Sequence, residues 1–138
     1  MKLIGIDTGT HTGVAIYETF SKKFERLETL PIHKAMALVL ATALDNPNDT
    51  HVYFEDARLR KWFGRSGREQ LQGAGSVKRD CAIWEDYLTD YKIPFTPIAP
   101  KNNATKLTAD YFAKVTGWTA RSSEHARDAA MLVFGRRY

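Results

Sequence analysis

The stretch Lys2-Leu3-Ile4-Gly5-Ile6-Asp7-Thr8 opens the chain as an apolar, β-rich run that closes on a carboxylate. It reads as a buried first strand. Gly9 and Gly13 bracket a tight turn, Thr8-Gly9-Thr10-His11-Thr12-Gly13, and residues 13–18, GVAIYE, read as a second strand. Residues 23–30, KFERLETL, alternate as a third. The short connections make these three an antiparallel meander. Pro31 suits the first turn of a helix, and Ile32, Ala35, Met36, Val39, Leu40 and Ala43 follow at helical spacing across 32–44. After Asn46-Pro47-Asn48 comes a fourth strand, His51-Val52-Tyr53-Phe54-Glu55. Three strands reverse in turn and a helical crossover returns the chain, so strand four runs parallel to strand one. Both strands then end at the same edge of the sheet, and those ends carry Asp7 and Glu55.

Working outward, residues 57–66 form a loop and 67–91 a long helix, with Leu71, Ala74, Val77 or Lys78, Cys81, Trp84, Leu88 and Tyr91 along one stripe. Gly73 and Gly75 each weaken that helix by about 1 kcal/mol against alanine. Residues 93–98, IPFTPI, form a fifth strand, short or at an edge because of its prolines. Helices follow over 104–116 and 122–136, the last capped by Ser122 or Ser123. The 138 residues make a single domain, 1–138. Apolar residues at 43% and charged residues at 26% fit a soluble globular chain. No apolar run reaches the roughly 20 residues that span a bilayer, and the opening runs straight into a strand with no secretory pattern. A single cysteine, Cys81, excludes an intrachain disulfide and points to a reducing, cytoplasmic compartment.

The net charge of +4 is local. Residues 57–79 hold Arg58, Arg60, Lys61, Arg65, Arg68, Lys78 and Arg79 against Glu69, a net +6, whereas the other 115 residues carry 13 basic and 15 acidic side chains, a net −2. Such a cluster fits a polyanion, nucleic acid first. It equally fits a solvated charged loop, and charge alone does not choose.

The acids supply the second signal. Asp7 and Glu55 end apolar strands, and Asp128 lies on the last helix with His125 three residues earlier, on the same helical face. A carboxylate at the end of a buried strand is costly unless it is paired or metal-bound. Three such oxygens at one sheet edge would hold Mg²⁺, or Mn²⁺ in its place. Two ions about 4 Å apart suit phosphodiester hydrolysis. Each position alone has a plainer reading: Asp7 as a turn residue, Glu55 with Asp56 as a polar strand end, His125 as a helix-terminus side chain. Asp128, set in Ala-Arg-Asp-Ala-Ala, is the hardest to explain by packing. His11, His33 and His51 read as turn or surface residues.

Leu3-Ile4-Gly5-Ile6-Asp7-Thr8-Gly9 with Gly13-Val14-Ala15 resembles the opening of the RuvC family of Holliday-junction resolvases. The later pieces follow in order: Val52-Tyr53-Phe54-Glu55, Leu71-Gln72-Gly73-Ala74-Gly75, Ile93-Pro94-Phe95-Thr96-Pro97-Ile98-Ala99-Pro100-Lys101, and the closing His125-x-x-Asp128-Ala129. The resemblance covers nearly the whole chain and is similar in length to compact phage-type members. It implies an α/β, RNase H-like fold, a five-stranded mixed sheet of order 3-2-1-4-5 with helices on both faces, which places strand four beside strand one. It implies a Mg²⁺-dependent endonuclease resolving four-way or other branched DNA by paired nicks. Asp7, Glu55 and Asp128 would be the metal ligands and His125 a further catalytic residue. It also implies a homodimer joined through the long helix, here Leu71, Val77, Cys81, Trp84 and Leu88.

Arg58, Arg60, Lys61, Arg65 and Arg68 would meet phosphates, together with Lys101 or Lys106 from the segment after strand five. The family's aromatic residue after the second acid is replaced near that place by Arg58. Trp62 and Phe63 come later in the loop, where they stack on bases or anchor the loop. Other readings are weaker. A sugar-kinase-like ATPase also begins with a strand, Asp and a Gly/Thr turn, but needs a second lobe for which 138 residues leave no room, so no nucleotide cofactor is expected. A ribosomal-RNA-processing relative would carry an acid on the fifth strand, absent from Ile93–Ile98. A non-catalytic binder of branched or single-stranded DNA, or an RNase H-like nuclease acting on RNA, are the alternatives kept.

Overall fold

The computed structural model describes residues 1–59, 67–100 and 106–137, with backbone alone for 67–74. Five strands, β1 (Lys2–Asp7), β2 (His11–Glu18), β3 (Lys23–Pro31), β4 (Thr50–Glu55) and β5 (Phe95–Ile98), form one sheet in the order β3-β2-β1-β4-β5. β1 pairs antiparallel with β2, and β2 with β3; β1 pairs parallel with β4, and β4 with β5. This is the expected meander, with the helical crossover α1 (Ile32–Asp45) returning the chain beside β1. β1 sits in the middle of the sheet and is covered on both faces, which is why its interior is continuously buried rather than alternating.

Each face has its own core. Ile4, Ile6, Val14, Ile16, Val52 and Phe54 pack under Ala35 and Val39 of α1 and under Cys81, Trp84 and Leu88 of the long helix α2 (Gly67–Asp90). On the other face Leu3, Ala15, Tyr17 and Tyr53 pack under Phe112 of α3 (Ala109–Thr116) and Ala126, Ala129 and Ala130 of α4 (Glu124–Met131).

The α2 stripe corrects one expectation. Cys81, Trp84 and Leu88 are fully buried against the chain's own sheet, and Val77 packs partly buried beside them. An apolar helix stripe turns to the nearest sheet, so Cys81, Trp84 and Leu88 are core residues of this chain, whereas Val77 keeps part of its surface. The Leu71 side chain lies outside the described residues, as do Arg60, Lys61, Trp62, Phe63, Arg65, Lys101 and the side chain of Arg68.

Several boundaries also move. β2 starts at His11, two residues before Gly13, because Asp7 pairs with Gly13 and the β2–β3 ladder continues to His11 opposite Pro31. Pro31 closes β3 and stands at the N-cap of α1. α3 begins at Ala109, where the Thr108 side chain accepts from the Tyr111 amide. α4 ends at Met131, and Ser123 caps its start by accepting from the Ala126 amide. His51 is buried, its Nε2 lying 2.8 Å from Thr96 Oγ1.

Two glycines set the distance between α4 and the sheet. A Cβ on Gly5 would lie 2.0 Å from the Ala129 carbonyl oxygen, and one on Gly13 2.0 Å from that of His125. The helix backbone therefore rests directly on β1 and β2, in contact that any side chain would block. Gly13→Ala is expected to destabilise the fold by about 2–3 kcal/mol, since backbone rather than a movable side chain must yield. A urea-unfolding midpoint equal to wild type would show that α4 is not seated this way.

Candidate active site

The parallel register brings the two strand-end acids together. Ile6 pairs with Phe54, so Asp7 and Glu55 are the next residues on neighbouring strands. Leu3 and Tyr53 belong to the α4 core and Ile4, Ile6, Val52 and Phe54 to the other, so alternation puts Asp7 and Glu55 on the α4 face. The seating of α4 then supplies the rest. Gly13, directly opposite Asp7, leaves room for the His125 backbone, and His125 Nδ1 lies 2.9 Å from Asp7 Oδ2. Asp128 follows one turn later on the same helix face. The Ser123 hydroxyl meets that of Thr29 on β3, holding the start of α4 to the sheet.

Both aspartates of the site are shifted toward their protonated forms, chiefly by burial. Burial pushes the Asp7 carboxyl above its ordinary value and Asp128 pushes it further, against the lowering pull of His125 and Lys106. Burial likewise raises Asp128, with Glu124 adding to the shift and Lys106 opposing it. Lys106 spans the two α4 acids, its Nζ 2.6 Å from Glu124 Oε1 and 3.8 Å from Asp128 Oδ2. Lys106, one of two candidates with Lys101 for a DNA contact, pairs with these acids while remaining largely exposed.

The floor beneath Glu55 is tied by hydrogen bonds that the sequence did not announce. Thr8 Oγ1 donates to the Glu55 carbonyl at 3.2 Å, and Cys81 Sγ lies 3.7 Å from the same oxygen. Burial pushes the Cys81 thiol up, which keeps it protonated and able to donate. Asp56 points to the opposite face, where Arg58 donates from Nε at 2.9 Å, from Nη2 at 2.8 Å and from its backbone N–H at 3.0 Å. These bonds hold the Asp56 carboxyl below its usual range. The Arg58 guanidinium also reaches Glu85, so this cation, read as a phosphate contact, is engaged by two carboxylates of its own chain.

Among the described residues, no group of three His, Cys, Asp or Glu side chains is gathered closely enough to hold a metal ion as it stands. The donor chemistry nevertheless fits a hard divalent cation. Asp7, Glu55 and Asp128 offer oxygens and His125 a nitrogen. Two of those carboxyls are raised by burial, which a cation would relieve. Lys106 already supplies one positive charge at the same place.

No family model and no curated protein matches this sequence. Among solved structures, T. thermophilus RuvC, determined in complex with a Holliday junction substrate, superposes with a TM-score of 0.60 at 15% identity, over 97% of this chain and 91% of that one. The Fowlpox virus resolvase, determined with Holliday junction DNA, aligns at a TM-score of 0.43 and 14% identity, over 96% of this chain and 85% of that one, too low a score to weigh. At such identity the RuvC likeness speaks for architecture, and together with the strand order β3-β2-β1-β4-β5 it gives this chain the RNase H-like fold found in RuvC.

Proposed function

We propose that this protein is a divalent-metal-dependent endonuclease that resolves four-way or other branched DNA by paired nicks. The observation that carries the reading is the convergence of Asp7, His125 and Asp128, with Glu55 on the adjoining strand, at the end of the two central strands. The +6 segment 57–79 follows directly after β4 and so leaves the sheet at the same edge. The RuvC-like fold supports it.

Asp7, Glu55 and Asp128 are the residues that would hold the metal. A divalent ion bound there supplies Lewis acidity at the phosphate and a lowered pKa for water. His125, fixed by its bond to Asp7, holds or moves a proton beside the scissile phosphate. Thr8 and Cys81 keep the end of β4, and so Glu55, in register with Asp7. Arg60, Lys61, Arg65 and Arg68 neutralise backbone phosphates, and Trp62 and Phe63 offer faces for base stacking. Arg58 instead anchors the start of the loop through Asp56 and Glu85. Paired nicks in a symmetric junction call for two copies of the chain, joined through surfaces other than the buried Cys81, Trp84 and Leu88.

Asp7→Asn should lower cleavage of a synthetic four-way junction in Mg²⁺ by about a thousandfold or more, with junction affinity in a gel-shift assay retained. Full activity in that variant would overturn the reading. Neutralising Arg60, Lys61 and Arg65 together should flatten the dependence of log K on log salt by about 2–3 units, near 0.9 for each lost phosphate contact. An unchanged slope would remove the loop from the DNA interface.

The site also has a cost in stability. A carboxyl raised in the folded state binds its proton more tightly there than in the unfolded chain, so its contribution falls as pH rises from the ordinary aspartate range through the raised value. Asp128→Asn removes that penalty. In metal-free protein the variant should melt above wild type at pH 7, and the gap should close on acidification below pH ~4. Scanning calorimetry at both pH values checks this; a variant that melts lower at pH 7 would contradict it.

A further inference from the structure

We propose that Lys106 is a built-in counter-cation that occupies the charge position of the metal, so that a divalent ion binds by displacing it. The inference rests on the reading of Asp7 and Asp128 as metal ligands and adds what fills their place beforehand.

Three observations carry it. The Lys106 ammonium stands 3.8 Å from Asp128 Oδ2 and hydrogen-bonds Glu124, four residues before Asp128 on the same face of α4. Lys106 is held in place through its neighbour: Arg127 of α4 donates from Nε to the Leu107 carbonyl at 2.9 Å and from Nη1 to the Ser122 carbonyl at 2.5 Å. The same helix that presents Asp128 therefore fixes the backbone beside the lysine. Finally, two of the proposed ligands have internal partners, His125 for Asp7 and Lys106 for Asp128.

The physics is competition for one field. Two partly buried carboxylates repel each other, and one ammonium offsets part of that repulsion. A divalent ion offers twice the charge and direct coordination, but it must enter against a like-charged neighbour. Lys106 is 63% exposed and Glu124 54%, so the pair is held by a weak, screened bond and can open without disturbing the core. Glu124 then serves as the resting partner to which the displaced ammonium stays tethered.

Direct Mn²⁺ binding to the full-length protein without DNA tests this, read by the free-ion paramagnetic resonance signal and by titration calorimetry. Lys106→Gln should tighten Mn²⁺ binding about three- to tenfold. Lys106→Arg, which keeps the charge, should stay within about twofold of wild type. Lys114→Gln removes the same charge from α3 and should also leave affinity within about twofold. The gain in Lys106→Gln should shrink as salt is raised toward 0.5 M. Unchanged or weaker Mn²⁺ binding in Lys106→Gln overturns the proposal while leaving the metal site standing, provided wild-type binding is lost in Asp7→Asn and Asp128→Asn. An equal gain in Lys114→Gln overturns it as a bulk-charge effect. Absence of Mn²⁺ binding by the wild-type protein overturns both the proposal and the metal-site reading.

Discussion

The close contact between the α4 backbone and the central strands is the constraint on which the site depends. Gly5 and Gly13 let the carbonyls of Ala129 and His125 settle where side chains would otherwise stand. Because Gly13 lies opposite Asp7 in the β1–β2 ladder, this contact places His125 beside that carboxylate. Ala126, Ala129 and Ala130 continue the theme, since small buried residues keep the helix low on the sheet along its length. The geometry of the proposed site is thus a consequence of missing side chains as much as of the polar residues themselves.

Seating the helix so low brings acids together where they are largely covered and only partly screened by water. Asp7 and Asp128 both resist ionisation there. A chain built only for stability would not gather them. Their partners are graded by exposure: His125 and Lys106 are more than half exposed, whereas Asp7 and Asp128 are mostly covered. The partners that can leave are those at the surface, while the oxygens that would receive a cation are held by the fold.

The basic segment shows the opposite economy. Its first cation, Arg58, is fixed by three hydrogen bonds to the buried Asp56 and by contact with Glu85 on α2. Asp56 follows Glu55 and points to the other face, so one dipeptide sends an acid to the proposed site and an acid to the loop anchor. The remaining positive charge of the segment begins only after that anchor, at Arg60.

The architecture was legible in local chemistry. Apolar runs, turn residues and the count of chain reversals were enough to derive the meander, the parallel fourth strand and a common edge for Asp7 and Glu55, because strand direction follows from connection length alone. The RuvC resemblance added the strand order. What a helix stripe faces is not a local property: Cys81, Trp84 and Leu88 look the same in sequence whether they meet a second chain or their own sheet, and only packing assigned them to the core. Gly13 read as a turn residue because nothing nearby in sequence shows a helix carbonyl more than a hundred residues later resting on it. Lys106 and Arg58 read as free cations for the same reason. Their carboxylate partners, Glu124, Asp128 and Glu85, come from distant stretches, and ion pairing is decided by distance in space, which only the tertiary structure sets.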